Sequence, residues 1–95
     1  MIQSWACKAT KLFFETGRVP KGAGWSDVAP VAARKLLALY AARSLGDLRS
    51  PPGNRLEALK GDRAGQHSVR INNQWRVCFV WTDQGAHGVE ITDYH

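Results

Sequence analysis

Five cations punctuate the stretch from Arg55 to Arg76: Arg55, Lys60, Arg63, Arg70 and Arg76. The segment otherwise reads as β-strand. A strand that needs only a solvated face can use Thr, Ser, Gln or Glu. Guanidinium stays charged and grips phosphate oxygens bidentately, so arginine repeated along strands points to a surface shaped for phosphate. The last three residues, Asp93-Tyr94-His95, supply groups of another kind: a carboxylate, a stacking ring and an imidazole, the usual proton carrier near neutral pH. Glu57 is a further candidate base on the neighbouring strand. Together with Arg76 and Lys60, these groups suit attack of an RNA 2′-hydroxyl on the adjacent phosphodiester. That reaction needs a base for the hydroxyl, cations for the developing phosphorane charge and an acid for the leaving 5′-oxygen, and it needs no metal. The competing account of Tyr94-His95 is a frayed tail, the commoner fate of chain ends.

The strands must place these groups, and their register decides which face the arginines take. Residues 67–71 and 75–81 read as a hairpin around Asn72-Asn73-Gln74. A two-residue loop would mix apolar and charged residues on both faces, which a half-buried sheet avoids. A three-residue loop pairs Ile71 with Trp75, Arg70 with Arg76 and Val69 with Val77. Val69, Ile71, Trp75, Val77, Phe79 and Trp81 then line one face, and Ser68, Arg70, Arg76 and Cys78 the other. Like charges directly opposed on neighbouring strands repel. Either an anion occupies the gap between Arg70 and Arg76, or nearby carboxylates (Glu57, Glu90, Asp93) neutralise the pair.

Around the hairpin the pattern predicts a strand over 54–60, a turn over 61–65, a turn at 83–85 and a last strand from about His87 to Tyr94. Upstream, Met1–Ser4 is a short strand candidate. Ala9, Leu12, Phe13 and Thr16 recur at helical spacing as far as Gly17, a common helix stop. A Gly/Pro-rich loop over 17–29 follows, with Trp25 as an anchor on the core. A second helix starts near Ser26–Pro30 and runs to about Arg43, with Ala33, Leu36, Leu37 and Tyr40 at helical spacing and Arg34, Lys35 and Arg43 opposite. Ser50-Pro51-Pro52-Gly53 ends it. Helices followed by a meander give an α+β fold: two N-terminal helices packed on one face of a small, mainly antiparallel sheet, in a single domain over 1–95.

Composition narrows the partners. The net charge is +5 with a pI near 9.7, which favours an anionic partner. Residues 1–53 carry eight Lys/Arg against three acids, whereas 54–95 balance five against five, so the whole excess sits in the N-terminal half. The C-terminal half looks like an organised site and the N-terminal half a broad electrostatic grip or a solvated helix face. Cys7 and Cys78 are too few for a disulfide framework and read as small hydrophobes. His67, His87 and His95 lack zinc-site spacing, and no phosphate-cradling glycine motif occurs. There is no membrane-length apolar run and no signal-peptide pattern, so the expected location is the cytoplasm.

The segments MIQSW, LFFETG, LEALKGDRAG, INNQWRVCF and ITDYH, in this order over nearly the whole chain, resemble the HigB branch of the RelE/ParE toxin superfamily. That resemblance implies a RelE-like ribonuclease toxin that enters the ribosomal A site and cleaves mRNA without a cofactor. It also implies a helix-turn-helix antitoxin of the HigA type, with operator DNA bound only through the toxin–antitoxin complex. Carried onto this chain, the catalytic set falls on Lys60, Arg76, Asp93, Tyr94 and His95, with Arg63 and Gln74 nearby. Asp93 and His95 would be the acid/base members, Tyr94 a stacking group, and Lys60 and Arg76 the phosphate clamp; Arg55 and Arg70 join Arg63 and Gln74 as RNA contacts. Glu57 stands in RLEAL where some members carry histidine, leaving open whether it acts as a base or only pairs with an arginine. Two other functions fit the composition: a ParE-like, non-nucleolytic inhibitor of gyrase, and a plain nucleic-acid-binding domain.

Overall fold

The computed structural model describes residues 1–93. Two helices, α1 (Lys8–Thr16) and α2 (Ala29–Ala41), precede four strands: β1 (Glu57–Ala58), β2 (His67–Arg70), β3 (Arg76–Thr82) and β4 (Gly85–Thr92). The strands form one antiparallel sheet in the order β1-β2-β3-β4. Both helices lie against the strands, on the face that carries Val69, Val77, Phe79, Val89 and Ile91. This is the α+β architecture expected, and Trp25 is buried in its core, edge-on to Phe13 at 4.7 Å.

The hairpin follows the three-residue loop. Arg70 faces Arg76, Val69 faces Val77, and the Ile71 N–H donates to the Trp75 carbonyl at 3.0 Å. Asn72 sets the loop through its own side chain, whose Oδ1 accepts the N–H groups of Gln74 (2.9 Å) and Trp75 (2.7 Å).

The helices turn other faces inward than the spacing predicted. Helix α1 stops at Gly17, which takes φ 76° and donates to the Phe13 carbonyl. It buries Thr10 and Phe13, while Leu12 stays 48% exposed. The cause is a hydrogen bond: Thr10 Oγ1 accepts the Ile91 N–H at 3.0 Å, meeting a buried backbone donor on β4. Helix α2 buries Ala32, Leu36 and Leu39 and leaves Leu37 (60%) and Tyr40 (46%) exposed. Its sequence is apolar nearly all round, so spacing alone could not select the face. Lys35, expected in solvent, is half-buried and donates to Asn54 Oδ1. Burial, with the charges of Arg34 and Arg70, lowers its pKa. Asn54 is buried, and its Nδ2 donates to the Leu48 carbonyl at 3.0 Å, so one side chain binds the 44–54 connection to α2.

The strand expected over 54–60 shrinks to Glu57–Ala58. A 3-10 turn occupies Pro52–Asn54, and Arg55 follows it in the left-handed region at φ 45°. That conformation costs a non-glycine residue about 1–3 kcal/mol and cannot continue a strand. At the opposite edge, the predicted strand over Met1–Ser4 is instead a pair of parallel bridges, Ile2 to Ala86 and Trp5 to Val89. Gly85 makes this approach possible: a Cβ there would lie 2.0 Å from the Met1 carbonyl oxygen. Farther along β4, the register slips by one residue between the Cys78–Glu90 and Val80–His87 pairs, where Gly88 takes φ 60°. This bulge keeps Ala86, Val89 and Ile91 all in the core although they break strict alternation. Among the described residues no helix is long and apolar enough to cross a membrane.

Candidate active site

On the sheet face away from the helices, Glu57, Ser68, Cys78 and Glu90 form one cross-strand row, and Arg70, Arg76 and Thr92 the next. Alternation alone would leave this face in solvent, yet Ser68 and Cys78 are fully buried. Arg63, on the 3-10 turn Gly61–Arg63 between β1 and β2, reaches across to Glu90 on β4 at 2.9 Å and also donates to Gln66 Oε1 at 3.1 Å. This strap passes close enough to Cys78 for its charges to act on the thiol. Burial pushes the Cys78 thiol up to about 11; Glu90 adds to the rise, and Arg63 and Arg76 oppose it. Cys78 is therefore a neutral thiol at neutral pH, the less nucleophilic form.

Arg76 is half-buried and its guanidinium is fixed by backbone: it donates to the carbonyls of Asn72 and, at 3.2 Å, Trp75. Arg70 opposes it in register, but its side chain donates to Asn73 Oδ1 at 2.5 Å and lies within electrostatic reach of Lys35. Glu90, one of the carboxylates expected to neutralise this pair, is spent on Arg63. Among the described residues neither Arg70 nor Arg76 takes a carboxylate partner. Gln74 Nε2 donates to Asp93 Oδ2 at 3.1 Å. Since Thr92 pairs with Arg76, that bond places the loop amide, the Asp93 carboxylate and Arg76 at one end of the sheet.

The predicted site residues thus divide. Gln74 and Asp93 are hydrogen-bonded to each other at the end of the sheet where Arg76 pairs with Thr92, and Arg70 opposes Arg76 in register. Arg63 lies over the same face but is committed to Glu90, so it is a strap before it is a phosphate ligand. Glu57 is exposed, opposite Ser68. Lys60 is exposed just before the Gly61–Arg63 turn, and no hydrogen bond of its side chain occurs among the described residues. Arg55 stands apart, directly after the 3-10 turn Pro52–Asn54 and two residues before β1. Tyr94 and His95 lie outside the described residues. Among those described, no three His, Cys, Asp or Glu side chains gather as a metal cage. The sequence reading missed Asn72, whose side chain shapes the loop and whose carbonyl holds Arg76; an Asn opening a hairpin loop was the available signal.

Two helices on one face of a four-stranded antiparallel sheet, with arginines on the other, make the fold of a RelE-like protein. The chain belongs to the HigB-like family, described as RelE-like toxins of type II toxin–antitoxin systems, whose profile matches residues 3–95. Endoribonuclease HigB of Proteus vulgaris is 36% identical over 95 residues, the whole length of both chains. Toxin HigB-1 of Vibrio cholerae is 48% identical over 61 residues, which are 64% of this chain and 60% of that relative. A type II toxin has an antitoxin as its partner.

Proposed function

We propose that this chain is an endoribonuclease toxin that cleaves mRNA in the ribosomal A site, by metal-independent attack of a 2′-hydroxyl on the adjacent phosphodiester. The observation that carries the reading is the state of Arg76. Its guanidinium is held by two backbone carbonyls and lacks a carboxylate among the described residues, and Arg76 lies at the same end of the sheet as the Gln74–Asp93 pair. A cation fixed in advance stabilises developing phosphorane charge without reorganising during the reaction. The name of the full-length Proteus relative supports the same chemistry.

In this reading Arg76 and Lys60 clamp the scissile phosphate. Asp93 and His95 move the protons, Tyr94 stacks on a base, and Glu57 is the alternative base. Gln74 orients Asp93 through their hydrogen bond and, with Arg70, contacts RNA. The basic N-terminal half grips ribosomal RNA, a helix-turn-helix antitoxin of the HigA type neutralises the toxin, and the work is done in the cytoplasm. Deleting Tyr94 and His95 tests the proton-carrier assignment. The truncated chain should keep its thermal unfolding midpoint and lose transcript cleavage in a translating extract by about a hundredfold or more. Undiminished cleavage would remove this mechanism; inhibition of purified gyrase without cleavage would favour the ParE-like alternative.

A further inference from the structure

The outer edge of β1 borders a cleft of about 510 Å³ whose lining, Glu57 apart, takes no part in the cleavage chemistry proposed above. One wall is the edge strand β1 with Arg55 and Leu56 just before it; the other is the 3-10 segment Leu45–Arg49, and His67 also lines it. Three features mark it out. First, the guanidinium groups of Arg49 and Arg55 make no hydrogen bond or ion pair among the described residues, whereas Arg63, Arg70 and Arg76 are all engaged. Second, Arg55 holds a left-handed backbone at φ 45°, a conformation that glycine or asparagine would adopt with less strain. Third, the cleft offers surfaces on which a base can lie. Leu45 and Leu56 are half-buried, and the His67 ring is stacked on the buried Phe79 at 6.3 Å. Glu57 belongs both to this cleft and to the cross-strand row of the arginine face, so the two are continuous around the edge of the sheet.

We infer that this cleft is a subsite for a nucleotide flanking the one cut: its phosphate meets Arg49 and Arg55, and its base packs on Leu45, Leu56 and His67. A single RNA strand crossing the arginine face leaves it past β1 and enters the cleft. The RNA class of the ligand rests on the nuclease reading above; the anionic, ring-bearing chemistry rests on the cleft alone.

The test measures binding of uniformly 2′-O-methylated single-stranded RNA, which cannot be cut, by fluorescence anisotropy over a range of salt. A trinucleotide is short enough to stay on the arginine face, whereas an octanucleotide reaches the cleft. The variant is Arg49→Ala with Arg55→Gly, the glycine chosen because it accepts φ 45° and so leaves the fold unstrained. Losing the one phosphate that Arg49 and Arg55 share lowers the salt slope for the octanucleotide by about 0.7 and weakens its affinity about tenfold at 0.15 M salt, with trinucleotide affinity unchanged. The inference is overturned if octanucleotide affinity and slope are unchanged, if both lengths weaken equally, or if the unaltered chain binds neither. A chain that binds the octanucleotide through these arginines yet leaves transcripts whole in a translating extract would overturn the nuclease reading alone.

Discussion

Arg76 and Cys78 are two positions apart on one strand and show how the same face serves chemistry and stability differently. Arg76 keeps its charge available because backbone carbonyls, not carboxylates, hold its guanidinium. Cys78 keeps its proton because burial and Glu90 disfavour the thiolate. Its folded-state pKa is raised from 9.0 to about 11, so between those values the folded chain binds more protons than the unfolded chain. The stability this contributes is fully present below pH 9 and is lost as pH rises toward 11, by up to about 2–3 kcal/mol. Urea midpoints measured from pH 8 to 10.5 should fall more steeply for the unaltered protein than for Cys78→Ala. Equal slopes would show that the thiol is not buried as described.

Among the elements, the hairpin was the most legible part of the chain. Strict alternation on both sides of Asn72-Asn73-Gln74 allowed one clean register, and the observed pairs match it. The helical faces were not legible. Helix α2 offers apolar residues at every angle, and α1 is turned by a Thr10–Ile91 hydrogen bond spanning 81 positions, which no local pattern encodes. The short β1 was hidden for a similar reason, since nothing in the type of Arg55 announces a left-handed backbone. Within the site, Arg76 and Asp93 were visible as residue types at the ends of strands, whereas the burial of Ser68 and Cys78 on the face away from the helices, and the Arg63 strap across that face, were not. That strap has its own consequence. Arg63 and Glu90 are 27% and 24% exposed, so the pair is only partly screened by solvent. Glu90→Gln should lower stability by about 1–2 kcal/mol and open the second face of the sheet. Faster alkylation of Cys78 in the folded variant would report that opening; an unchanged rate and unchanged stability would show that other groups cover the face.

At the scale of the whole molecule, the helices build the core on one side of the sheet and leave the other side to polar groups. The charge excess lies in the helical half, while the half bearing the candidate site is neutral overall. That division fits a protein whose broad surface grips one polyanion while a small cationic site acts on another. The central claim is that the Arg76 end of the sheet stabilises the cleavage transition state. Arg76→Ala tests it most directly, in transcript cleavage by a translating extract with thermal unfolding measured alongside. Removing one fixed transition-state cation should cut the cleavage rate by about 100- to 1,000-fold while the variant still folds. A folded Arg76→Ala protein that cleaves at the unaltered rate would contradict the account.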